Sequence, residues 1–209
     1  VTSAIFYPPQ HKVAPAPPPG IALAPGDEGP DVSSYQPNTD WQAVAAAGYK
    51  FGFVKATEGT SYVNPYFAQD WQAIRGAGLL RGAYHFAQPD SNAPETEAAH
   101  FMAVVQPGPD DLMVLDLEVG SGDLQDWAIR FAANIGGSRM LYSGGPFIAD
   151  HNLDQYAVCV AFDGKLWIAA YGPQPPVPAN WPELTFWQYT DRESVPGVAG
   201  ACDCSRYRP

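Results

Sequence analysis

Two acids lie inside an otherwise apolar run, Leu112-Met113-Val114-Leu115-Asp116-Leu117-Glu118-Val119. Such a run reads as a strand buried on both faces, where an ionisable side chain is costly unless paired or functional. Being two residues apart, Asp116 and Glu118 project to the same side, with Cα atoms ~6.8 Å apart. Two close carboxylates do not ionise independently. One is pushed to a higher pKa and can serve as general acid while the other stays charged. Glycoside hydrolysis needs that division of labour, and the spacing brackets both the ~5–5.5 Å separation of retaining enzymes and the ~6.5–9.5 Å separation of inverting ones. Paired acids suit Mg²⁺ or Ca²⁺ equally well, so metal-dependent hydrolysis competes on pattern alone.

Other chemistry-bearing residues recur at the ends of further strand-like runs: Asp31 with Gln36, Lys55 with Glu58, Tyr84-His85, Tyr142, Trp167 with Tyr171, Trp187-Gln188-Tyr189 and Asp203. In parallel α/β barrels functional groups gather at the C-terminal strand ends, so the set predicts one shared floor. Any single member reads as readily as a loop-facing surface residue. Aromatic residues make up 13% of the chain, and several fall beside the acids. Sugar rings stack on such faces, whereas a phosphate site would want Lys, Arg or a glycine-rich loop, and no GxGxxG or Walker-type run is present. Carbohydrate is the better substrate class. Trp41, Trp71 and Trp127 fall on predicted helices and read as core, while Trp187 reads as a sugar platform. Lys55 and His85 are assigned to the cleft by position only, and Lys55 serves equally well as partner of a buried carboxylate.

The elements that must carry these residues alternate. Apolar runs at Phe51–Lys55, Leu79–Phe86, Leu112–Val119, Arg139–Ser143, Leu166–Tyr171 and Thr185–Tyr189 read as strands. Helix-length segments lie between the early ones at Thr39–Ala47, Asn64–Ala77, Pro94–Val105 and Asp123–Ile135. Thr39 with Gln42, and Asp123 with Asp126, mark helix starts, and Gly48, Gly78 and Gly136 sit where C-terminal glycines belong. Alternation argues for parallel β-α units. After about residue 140 the helices thin out, which predicts a barrel with β-α units first and bare strands last. Residues 1–29 differ: prolines cluster there without helical or strand period, so they read as an extended arm or linker, with the barrel at 30–209. The arm lacks the basic start and long apolar stretch of a signal peptide and is expected to act as a tether or docking segment.

The 209 residues suit one large domain with an arm. A net charge of −11 disfavours binding to nucleic acid or anionic bilayers, and no apolar run approaches the ~20 residues of a membrane span. Cys159, Cys202 and Cys204 read as buried or half-buried thiols, and no Cys/His spacing suggests a metal site.

These residues carry a family resemblance. Gly29-Pro30-Asp31-Val32-Ser33-Ser34-Tyr35-Gln36 resembles the opening strand of the glycoside hydrolase family 25 lysozymes, the Chalaropsis-type muramidases. The likeness continues through Phe51–Gly59, Gly82–Phe86, the DxE pair Asp116 and Glu118, Leu166–Tyr171, Trp187–Thr190 and Val195–Asp203. It implies a modified TIM-like (β/α)5β3 barrel, eight strands with five helices, the last three strands antiparallel or bare. It also implies cleavage of the β-1,4 bond between N-acetylmuramic acid and N-acetylglucosamine in peptidoglycan, with retention and no metal or organic cofactor. By position, Glu118 is the general acid and Asp116 its partner, with Asp31 and Asp203 the further acids of the cleft. Four acids together suit mildly acidic operation. The final motif departs from the family pattern, since Ser205 stands where Asn is usual. The resemblance leaves two settings: a secreted or phage-delivered enzyme acting at the cell wall, or a virion component carrying an active or merely glycan-binding barrel, with residues 1–30 meeting a protein partner.

Overall fold

The computed structural model describes residues 21–182 and 184–208. Most of the expected prolyl arm lies outside them. The elements follow in the order β1 (Glu28–Val32), α1 (Trp41–Ala46), β2 (Phe51–Glu58), β3 (Tyr62–Val63), α2 (Phe67–Gly76), β4 (Leu80–Phe86), α3 (Pro94–Val105), β5 (Leu112–Asp116), α4 (Gln125–Ala133), β6 (Ser138–Gly144), α5 (Gly145–Asp150), α6 (Tyr156–Ala161), β7 (Leu166–Ala169), β8 (Phe186–Glu193) and β9 (Cys202–Tyr207). The sheet runs β1-β9-β8-β7-β6-β5-β4-β2-β3, and β1 also pairs with β2, which closes eight strands into a barrel with β3 as an appended flap.

That arrangement corrects the expected (β/α)5β3 barrel. The fold is a closed eight-stranded β-barrel with surrounding helices. Two unexpected helices, α5 and α6, lie after residue 140, making six among the described residues, and only beyond α6 do β7, β8 and β9 follow without helices between them. The last three strands do not form a separate antiparallel group, because β7 pairs parallel with β6 and β8 parallel with β7. Among the eight barrel strands only β9 is reversed, wedged antiparallel between β8 and β1.

Alternation along each strand builds two apolar layers. Inward-facing Phe51, Phe53, Leu112, Val114, Met140, Tyr142, Trp167 and Phe186 fill the barrel. Outward-facing residues such as Val54, Ala83, Met113, Leu115, Leu141 and Ile168 pack under the helices. The interior is tight: Phe53 stacks on Trp167 at 4.3 Å between centroids. A Cβ on Gly82 would stand 2.1 Å from the Phe53 ring, so the strand facing that ring has to carry glycine there. Helix α1 starts at Asp40, whose carboxylate accepts from the Gln42 and Ala43 amides, while Thr39, the expected start, donates to the Gln36 carbonyl.

A β-bulge interrupts β2 between Lys55 and Thr57. It reverses the alternation, so Thr57 joins the outward side with Ala56, and Glu58 returns to the side of Lys55.

Candidate active site

The C-terminal strand ends surround a cleft of about 220 Å³ lined by Asp31, Ser33, Tyr35, Lys55, Tyr84, Phe86, Asp116, Glu118, Tyr142, Trp167 and Asp203. Seven of the eight barrel strands contribute inward side chains to it. On β5 that side chain is Asp116, the last strand residue, directly opposite Tyr142 of β6. The chain then leaves the sheet, with the Leu117 amide bonded to the Tyr142 carbonyl, and this lifts Glu118 into the open mouth above Asp116. On the far wall Asp31 of β1 stands opposite Asp203 of β9.

The four acids are held in their neutral forms more strongly than free carboxyls. Burial, then the Glu118 charge, pushes Asp116 well above the usual carboxylate range, with Lys55 acting against the rise. Burial also raises Glu118, against a hydrogen bond from Asp116 that lowers it. Asp31 is raised well above its ordinary value by burial and then by Asp203, with the Gln188 hydrogen bond opposing. Burial raises Asp203 too, against the hydrogen bond from Asp31. One Asp116 oxygen, Oδ1, is buried without a hydrogen-bond partner. Lys55 is the one cation among the described residues lining the cleft. Its Nζ donates to Glu58 at 2.6 Å, and Glu58 also accepts from Gln88 Nε2 at 3.1 Å. Among the described residues no three His, Cys, Asp or Glu side chains come together as a metal-holding group, and no helix is long and apolar enough to cross a membrane.

The structure brings Asp31, Lys55, Tyr84, Asp116, Glu118, Tyr142, Trp167 and Asp203 to the cleft wall. Gln188 and Tyr171 stand behind it, joined by the Tyr171 hydroxyl donating to Gln188 Oε1 at 3.0 Å. Gln36 shapes the rim from beneath, accepting from the Ser33 amide and donating to the Ala201 carbonyl.

Three expected contact residues face the other way. His85 follows inward Tyr84 and so points out. It is fully buried between Thr57 Oγ1 and Glu97 Oε2, each 2.8 Å from a ring nitrogen, and packs against Phe101 and Phe131. Trp187 and Tyr189 flank inward Gln188 and therefore also point out. Trp187 donates to the Ala170 carbonyl at 2.7 Å within the outer layer, and Tyr189 lies beneath the Arg206 guanidinium. Trp187 is therefore no sugar platform.

Of the rings that line the cleft, Tyr35 is the exposed one, at 88%. Ser33, Tyr35 and Phe86 line the cleft without having been singled out. Tyr35 sits inside the Asp31–Gln36 stretch, and Phe86 holds the same parity as Tyr84, which are the signals that point to them. The three cysteines are free and buried.

Residues 30–198 match the profile of Glycosyl hydrolases family 25, and the chain belongs to that family. It is 28% identical to Lysozyme M1 of Streptomyces globisporus across 90% of this chain and 70% of that protein. It is 29% identical to the N,O-diacetylmuramidase of Chalaropsis sp across 81% of this chain and 90% of that protein. Among solved structures it is similar to the bacterial lysozyme from Streptomyces coelicolor, with a TM-score of 0.78 at 29% identity over 88% of this chain and 93% of that one.

Proposed function

We propose that the chain is a peptidoglycan hydrolase that cleaves the β-1,4 bond between N-acetylmuramic acid and N-acetylglucosamine, with Glu118 as general acid and Asp116 as its partner. The observation that carries this reading is the stacked pair at the end of β5. Glu118 is the exposed member that can reach a leaving oxygen, and burial raises its pKa toward the range a general acid needs. Asp116 below it is buried and hydrogen-bonded to it, and the aromatic rim fits a sugar chain. Asp31 and Asp203 across the cleft supply negative charge on the side where an oxocarbenium-like centre would develop, which suits retention with either a carboxylate or the substrate acetamido oxygen as nucleophile. Family membership and the muramidase and lysozyme relatives support the same chemistry. On this reading the protein acts at a bacterial cell wall.

The test is digestion of purified peptidoglycan by the intact chain and by Glu118→Gln from about pH 4 to pH 8, read by reducing-end labelling and mass spectrometry. New N-acetylmuramic acid ends are expected from the intact chain, most abundant on the acid side. The variant should lose at least ~10²–10³-fold of the rate. A flat pH profile removes the role given to the raised Glu118 pKa. If neither protein releases ends while both bind glycan, the barrel is a recognition module.

A further inference from the structure

One amide beneath the cleft has its orientation dictated from both ends. Gln188 is turned into the barrel from β8 and is 1% exposed. Its Oε1 accepts from the hydroxyl of Tyr142 at 2.9 Å and from that of Tyr171 at 3.0 Å. Its Nε2 points the opposite way, to Asp31 Oδ2 at 3.0 Å and Asp203 Oδ2 at 3.4 Å. A flipped amide would aim its oxygen at two carboxyl groups, which satisfies hydrogen bonding only when both are protonated. The two phenols therefore lock the amide, and the amide in turn spans both acids. Among the described residues Gln188 is the one side chain other than the acids themselves that hydrogen-bonds both of them.

We propose that Gln188, locked by Tyr142 and Tyr171, is a positioning residue that holds the Asp31–Asp203 carboxyl pair in register at the cleft, and that neither it nor the Tyr171 hydroxyl binds the sugar. This rests on reading the cleft as a muramidase site. The sequence alone places Gln188 and Tyr171 among substrate contacts; the geometry places them one step back.

Asp31 and Asp203 stand directly opposite each other on neighbouring strands, so they share a proton rather than ionise independently. Two N–H donors from one amide favour the singly ionised pair. The pair is faced by Glu118 and Asp116 at the end of β5, Tyr84 of β4 and Tyr142 of β6. Tyr171 beyond β7, Asp191 of β8 and Cys202 of β9 face it as well. Lys55 of β2, the one cation of the lining among the described residues, acts on Asp116 rather than on this pair; the other groups are acids, phenols and a thiol that add negative charge if ionised, so the amide is the group that favours ionisation of the pair.

The experiment uses the 209-residue chain, Gln188→Leu and Tyr171→Phe, with two readouts. Carbon-13 NMR follows titration of the Asp31 and Asp203 carboxyls, and kcat and KM are measured on peptidoglycan across pH. Loss of the amide donor should raise the pair's apparent pKa by about one unit in Gln188→Leu, with the acid limb of the rate profile moving up by a similar amount. KM should stay within about twofold while kcat falls. Tyr171→Phe keeps its ring and removes one of the two hydroxyls that hold the amide, so it should shift both readouts the same way by less. Raised KM in either variant with unmoved carboxyl titrations overturns the proposal and makes these residues sugar contacts. If Gln188→Leu fails to fold, Tyr171→Phe alone decides. If the intact chain releases no muramic acid ends, the function fails, while the carboxyl titrations still test the clamp.

Discussion

Asp116 shows what the cleft costs at the level of one side chain. A carboxyl whose folded pKa is raised binds more protons in the native than in the unfolded chain, so its contribution to stability is greatest below about pH 4, its unfolded value, and is lost as pH rises through the folded pKa. At neutral pH the native protein carries that penalty, and the partnerless Oδ1 adds to it. Asp116→Asn should therefore be more stable than the parent by about 1–2 kcal/mol at pH 7, with the gain vanishing near pH 4. Denaturant unfolding at the two pH values checks this. Equal stability at pH 7 would mean the acid pays no burial penalty. The DxE pair was legible in the sequence because two acids in an apolar run have few structural explanations. His85 and Trp187 misled because their type suggested a site while their parity put them outside. Gln188 inward already implies Trp187 outward, so the signal was present one residue away.

At the scale of elements, α3 runs over Pro94–Val105 as its proline start and apolar spacing predict. Helices α5 and α6 escaped because each is six residues long and lacks the side-chain-capped start that marks the equally short α1, and α5 opens on Gly145-Pro146, which reads as a turn. The bulge after Lys55 left no mark in residue type either, yet it sets which of Thr57 and Glu58 faces Lys55. Such features follow from strand closure and lie beyond local propensity. The start of α1 is local, and its error was one residue: Asp40 caps two amides where Thr39 was expected. Asp40→Ala should cost about 1 kcal/mol, whereas Thr39→Ala leaves those amide bonds intact. Thermal unfolding of the two variants separates them, and a larger loss from Thr39→Ala would restore the sequence-based cap.

For the whole molecule, the interior that supports the cleft is the same one that fixes the barrel's diameter. Gly82 makes room for Phe53, Phe53 stacks on Trp167, and Trp167 donates to Ser205 Oγ at 2.9 Å beneath Asp203. Gly82→Ala should cost about 2 kcal/mol, some 4–8 °C in Tm, and should lower kcat/KM well below the folded temperature limit because the displaced Phe53 pushes on the cleft wall. A loss of Tm with unchanged kcat/KM would show that wall to be independent of the packing below. The closure itself has a temporal meaning. Asp31 comes from the first barrel strand, Asp203 from the last, and the amide that joins them is 157 residues from Asp31. Contacts of such separation form late. A chain still emerging from the ribosome thus has its DxE pair but no opposing wall, and the cleft comes into being only when β9 has been made and has slid between its neighbours.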